Sequence, residues 1–221
     1  MESNRSEDQS SMISNTTTDH LLSLDMMDAK EASRTYTLAE YLALEQETQT
    51  KYEFHQGEVF AQAGGSLPHG LLIGNIYLEL QNRLKEQGSH CRALTSEVKL
   101  SLASTQSYVY PDAMVVCGEF EVAEELPDAI TNPTLVVEVL SPSSADYDRG
   151  GKFDRYSQLP SLKEYVLIWQ EEPRVEVFYR AEPNEIWQYQ SVKSLAEVIE
   201  FTSLGISLPL ADLYEGISFA E

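Results

Sequence analysis

Apolar positions along this chain change their period several times, and each change marks an element. Leu72, Ile73, Ile76, Leu80 and Leu84 recur at the spacing of one helical face. Ser66-Leu67-Pro68 supplies a start with proline in the first turn, and Gly88 supplies a stop. Upstream, Thr37 with Glu40 three residues on reads as a capping box. It opens a short helix to about Glu45, with Leu38, Tyr41 and Leu42 facing inward. The segments 51–55 and 58–61 flank Gln56-Gly57, the pattern of a β-hairpin with glycine in its turn.

Downstream the period is two. Val98, Leu100 and Leu102 alternate with Lys99 and Ser101, so residues 91–102 are expected as one strand and 108–117 as the next. Residues 118–132 are acidic and read as a solvated connection. The run 135–140 is continuously apolar apart from Glu138, the mark of a central strand buried on both faces. Ser141-Pro142-Ser143-Ser144 ends it, and a helix is expected from about 146 to 158. Further strands follow at 165–169, 175–179, 186–192 and 198–201, with a last helical turn at 210–214. No internal repeat is visible. The order predicts an α/β domain with a central mixed β-sheet and helices on its faces.

Residues 1–33 are polar and carry little apolar period, so they are expected as a mobile tail before one domain over 34–221. Charge changes the picture. The chain carries 15 Lys and Arg against 36 Asp and Glu, a formal net charge of −21. Such a body repels polyanions at long range, so a nucleic-acid substrate would have to be met by a local basic patch and by metal. Cys91 and Cys117 lack C-x-x-C spacing and are expected as free core thiols in a reducing compartment. No apolar run has membrane-span length, and a cytoplasmic location is expected.

The chemistry concentrates between Tyr110 and Tyr156. Asp112 and Glu138 each stand alone in an apolar strand, where a carboxylate is costly unless something positive neutralises it. If those strands are neighbours, both acids can hold one hard cation, and oxygen-only ligands suit Mg²⁺ or Mn²⁺ rather than zinc. Lys152 follows on the next helix with Tyr156 four residues further, and Arg149 and Arg155 make the densest positive patch in the chain. Basic groups around such a centre suit a phosphodiester.

Read together, these motifs resemble a known family. Tyr110-Pro111-Asp112 with Glu138-Val139-Leu140 resembles the paired acidic motif of the PD-(D/E)XK nuclease superfamily. Tyr52-Glu53-Phe54 with Gly57-Glu58, His69, Ser141-Pro142, Asp148-Arg149, Lys152, Tyr156 and Leu162-Lys163-Glu164-Tyr165 narrow it. Over roughly residues 35–219 the chain resembles the Uma-two family of restriction-endonuclease-like proteins. The resemblance implies a restriction-endonuclease-like core and a Mg²⁺-dependent endonuclease centre acting on DNA, with a homodimer as the assembly. Asp112 and Glu138 become the metal ligands and, with Lys152, the catalytic set. Glu53, His69 and Tyr156 are additional candidates, and Arg149 and Arg155 the nucleic-acid contacts. One departure stands out: the superfamily's lysine two residues after the glutamate is replaced by Leu140. Lys152 would reach that space from the following helix, with Lys99 as its rival and Glu58 as the rival of Glu53. The competing reading is a catalytically inactive nuclease fold that only binds nucleic acid or a protein partner. A third is an enzyme acting on a small anion.

Overall fold

A computed structural model describes residues 34–62, 64–141, 145 and 148–219. The expected tail at 1–33 lies outside the described residues, as do the break at 142–144 and the first residues of the helix expected from 146.

The capping box forms as read: the Thr37 hydroxyl accepts from the Glu40 N–H, and the Glu40 carboxylate accepts from the Thr37 N–H at 2.9 Å. It opens α1 (Leu38–Thr48), one turn longer than expected, with Tyr41 buried. Strands β1 (Tyr52–His55) and β2 (Glu58–Ala61) make the hairpin. Gln56 and Gly57 both take positive φ (50° and 92°), which a two-residue turn between twisted strands requires. A side chain at Gly57 would also strike Thr35, so only glycine fits there. Helix α2 (Leu67–Glu86) begins at Ser66, whose hydroxyl accepts from the His69 N–H. It buries Leu72, Ile76, Leu80 and Leu84, the stripe its periodicity predicts.

Two expected strands are each two strands. Residues 91–102 divide into β3 (Cys91–Thr95) and β4 (Lys99–Leu102), turning at 96–98. Residues 108–117 divide into β5 (Ser107–Val109) and β6 (Ala113–Cys117), with Tyr110-Pro111-Asp112 between them. The halves belong to different sheets. Strands β1, β2, β4 and β5 join the short β7 (Ala129–Ile130), inside the connection expected to be structureless, in the order β2-β1-β5-β4-β7. The larger sheet adds β8 (Leu135–Leu140), β9 (Glu164–Trp169), β10 (Val175–Tyr179) and β11 (Gln188–Val192), in the order β11-β10-β9-β8-β6-β3. It is mixed: β8 and β9 run parallel and its other pairs antiparallel. All six residues of β8 are buried, as a continuous apolar run implies.

One face of the large sheet packs on α2 and on a hairpin of β12 (Val198–Phe201) and β13 (Ile206–Pro209) with the final turn α4 (Leu210–Leu213). Strand β13 was not expected. The other face packs on β4 and β5 of the small sheet and on Tyr156, Leu159 and Leu162. There the expected helix is irregular: a wide turn of π type over Asp148–Lys152 runs into the single α turn α3 (Phe153–Tyr156). Among the described residues no helix is long and apolar enough to cross a membrane.

The free-thiol expectation is overturned. Cys91 and Cys117 are direct register partners on antiparallel β3 and β6, and a disulfide joins them. Their 26-residue separation says nothing about pairing until the strand register is known. With the thiols joined, the argument from free cysteine to a reducing compartment falls away.

Candidate active site

The two acids singled out by pattern reach one cavity of about 590 Å³ through unlike routes. Pro111 has no N–H to offer a ladder, so the chain leaves the small sheet there and Asp112 lands where it enters β6. The Val139 N–H donates to Asp112 Oδ2 at 2.7 Å, which ties this carboxylate directly to β8. Glu138 stands in the middle of β8 and is 3% exposed. The Tyr156 hydroxyl donates to Glu138 Oε1 at 2.6 Å, and Lys152 Nζ donates to the same oxygen at 3.2 Å.

Lys152 is gripped by more than Glu138. Its Nζ also lies 3.2 Å from Asp148 Oδ1 and 3.4 Å from Glu53 Oε1. The wide turn places Asp148 and Lys152 on the same side, and the hairpin turns Glu53 inward while Glu58 stays exposed. His69, in the first turn of α2, sets Nε2 3.5 Å from Asp112 Oδ2. Glu53, His69, Asp112, Glu138, Asp148 and Lys152 all line the cavity. A second cavity, of about 480 Å³, lies by Tyr36, Phe54 and Tyr108 and holds none of them.

Four carboxylates therefore face one ammonium and one imidazole. Burial pushes the Glu138 carboxyl up to about 8; Lys152 opposes this, while Asp112, Asp148 and Glu53 add to it. Burial alone would lower the Lys152 ammonium, but the same four acids overcome it and hold the ammonium well above the lysine range. His69 is raised chiefly by its contact with Asp112. Burial first, then Glu138, raises Tyr156 far above the phenol range.

The rival lysine is elsewhere. Lys99 Nζ donates to Glu45 and sits over the Tyr41 ring at 4.9 Å, outside the cavity. The expected nucleic-acid contacts do not line the cavity either. The Arg149 Nε donates to buried Glu176 at 3.1 Å, and the Arg155 Nε donates to the Gly151 carbonyl at 3.0 Å. Asp148 is the cavity residue that pattern reasoning passed over, naming it in the family motif with Arg149 and giving it no part in the site. Its 3% exposure was not visible from the sequence, but its place four residues before the lysine was.

Known proteins resemble this chain to different depths. The chain is 32% identical over 182 residues to the uncharacterised protein slr1290 of Synechocystis sp., covering 81% of this chain and 92% of the relative. It is 36% identical over 174 residues to the uncharacterised protein sll1609 of the same organism, covering 77% and 94%. The crystal structure of a putative nuclease of DUF820 from Anabaena variabilis superposes with a TM-score of 0.63. That match covers 80% of this chain and 97% of the other at 18% identity, which speaks for a shared nuclease-type fold. A family described as "Putative restriction endonuclease" matches residues 38–211, nearly the whole described body. The chain belongs to that family, Uma2.

Proposed function

We propose that this protein is a divalent-cation-dependent endonuclease that hydrolyses the phosphodiester backbone of DNA. The observation that carries the reading is the convergence of Asp112, Glu138 and Lys152 on one cavity, with the ammonium 3.2 Å from the Glu138 carboxylate.

The donor set fits a hard cation. Its acids offer oxygen only, and together they carry more negative charge than Lys152 and His69 can balance. Among the described residues no group of three or more His, Cys, Asp or Glu is arranged to hold a metal ion by itself. Mg²⁺ is usually held by one or two carboxylates and keeps several waters, so two acids are enough protein ligands for it. Asp112 and Glu138 would hold it, and when bound it supplies a polarised phosphoryl oxygen and a more acidic water.

The chain's own groups do the rest. Tyr156 and the Val139 N–H each fix one acid, so the two carboxylates meet substrate already oriented. Lys152 keeps its proton at Nζ and presents positive charge where the phosphate gains negative charge. His69 offers a ring nitrogen beside Asp112 for moving a proton at the cavity wall.

The test is cleavage of plasmid and linear DNA with and without Mg²⁺ or Mn²⁺. Cation-stimulated cleavage is expected, falling about 100-fold or more in Asp112→Ala. Equal cleavage by that variant, or none by the native chain, sinks the reading. A binding-only module is favoured by one observation: Glu138, Asp148 and Glu53 already share the Lys152 ammonium. Calorimetric titration with Mg²⁺ separates the two, since the module predicts no heat that depends on Glu138.

A further inference from the structure

Beyond the cavity, the same face of the large sheet carries positive charge that the catalytic set does not use. Register places it. Glu138 of β8 is opposite Leu167 of β9, and Leu167 is opposite Glu176 of β10. Neighbouring strands lie about 4.8 Å apart, so Glu176 sits on the sheet roughly 10 Å to the side of Glu138. Leu140 is opposite Trp169, one pleat further toward the end of β9.

Two guanidiniums converge here. Arg149 lies with its guanidinium carbon 5.8 Å from the Trp169 ring centroid, and Arg174 lies 4.4 Å from it. Both pair with Glu176, which is fully buried, and the Tyr189 hydroxyl donates to Glu176 at 2.9 Å. Arg174 Nη1 also lies 3.3 Å from Glu172, so the two guanidiniums meet one buried acid and one exposed acid. The Arg149 side chain is 43% exposed and the Arg174 side chain 19%. Two buried donors, Trp169 Nε1 and Arg174 Nε, have no acceptor among the described residues. The strip is continuous with the cavity: Asp148, next to Arg149, and Gln170, next to Trp169, both line it. Gln170 also accepts from the Ser66 hydroxyl at the mouth of α2, at 2.8 Å.

We propose that Arg149, Trp169 and Arg174 form the strip on which a nucleic-acid strand lies beside the cavity, the guanidiniums taking its phosphates. This rests on the nuclease reading and names the surface that receives the strand. On a body of net charge −21, a strand finds footing only where guanidiniums are held at the surface, as Arg149 is here. Guanidiniums pair with phosphate through several directed N–H donors, and the ring beneath holds them flat. Glu176 holds both arginines from below and competes with a phosphate for their N–H donors.

The experiment is fluorescence anisotropy of the full chain with a short labelled single-stranded deoxyoligonucleotide across a salt series, with and without Mg²⁺. Arg149→Gln and Arg174→Gln are each expected to weaken binding about tenfold, the worth of one charged hydrogen bond. Each should also flatten the slope of log affinity against log salt by about 0.7, one single-strand phosphate. Glu176→Gln, which releases both guanidiniums, should bind at least as tightly as the native chain. If the arginines only neutralise Glu176, all three variants bind like the native chain with the same slope, and the proposal is overturned. It is equally overturned if the native chain binds no oligonucleotide. Cleavage that needs Asp112 alongside unchanged binding in the arginine variants defeats the strip and spares the nuclease reading. Arginine-dependent binding without any cleavage does the reverse.

Discussion

Glu138 and Glu164 are both buried acids on neighbouring parallel strands, yet they live in opposite circumstances. Glu138 opens onto a cavity, in the company of three more carboxylates and an ammonium. Glu164 is fully buried at the other end of the β8–β9 pair, opposite Leu135, with no ion pair among the described residues. The Ser203 hydroxyl donates to its Oε2 at 2.5 Å, and its Oε1 has no donor among the described residues. Burial pushes the Glu164 carboxyl up to about 7, while hydrogen bonds from 202–203 resist. Glu176, equally buried, is a third case, neutralised by two arginines. An acid in a greasy strand is thus three different things: a member of a cluster that opens on a cavity, a core group held by a hydroxyl, or the anion of an arginine cluster. Only its company tells which.

The strongest way to break this comparison is to remove one charge from each acid without changing its shape. Glu138→Gln should cut cation-dependent cleavage about a thousandfold, measured as initial rate on DNA, while the protein still melts cooperatively. A variant that cleaves normally would place Glu138 with Glu164, as a core group. Glu164→Gln should act on stability and leave cleavage unchanged. The folded carboxyl titrates near 7 against an ordinary 4.5, so folding favours its neutral form. That advantage is complete below the unfolded value and is lost as pH rises through the folded one. Above it, the native chain carries a cost of about 3 kcal/mol that glutamine does not. Melting curves at acidic and mildly alkaline pH should therefore converge in the variant and diverge in the native chain. Equal pH dependence in both would mean Glu164 is solvated. The smallest change sharpens the picture: Ser203→Ala removes the donor to Glu164 and should cost about 1 kcal/mol by denaturant midpoint. The loss should grow above the folded titration point, where the carboxylate most needs a donor.

Local signals in the sequence were legible where one short segment decides the outcome. Thr37 with Glu40, the Gln56-Gly57 turn and the leucines of α2 each specify their geometry within a few residues. Asp112 and Glu138 were legible as charges in need of partners, since each stands alone in an apolar strand, and Lys152 as a cation on the segment that follows. Less visible was anything set by register or by the choice of sheet. An alternating run reads the same whether it stays in one sheet or crosses between two, so 91–102 and 108–117 looked like single strands. The Cys91–Cys117 bond needed the β3–β6 register. Arg149 looked like a cavity contact because the wide turn at Asp148–Lys152 could not be foreseen in a helical period. Leu140, two residues after Glu138, is 2% exposed and packs in the core, and Lys152 is the ammonium that reaches Glu138.

The crossing at Tyr110-Pro111-Asp112 has a consequence for how this centre comes into being. Glu53 belongs to the small sheet, Glu138 to the large one, and Asp112 to the seam where the chain passes from one to the other. Neither sheet owns the centre, and a fragment holding only one of them would lack an essential wall. Assembly of the carboxylate cluster must therefore await the docking of both halves, so that it comes into being only with the finished fold.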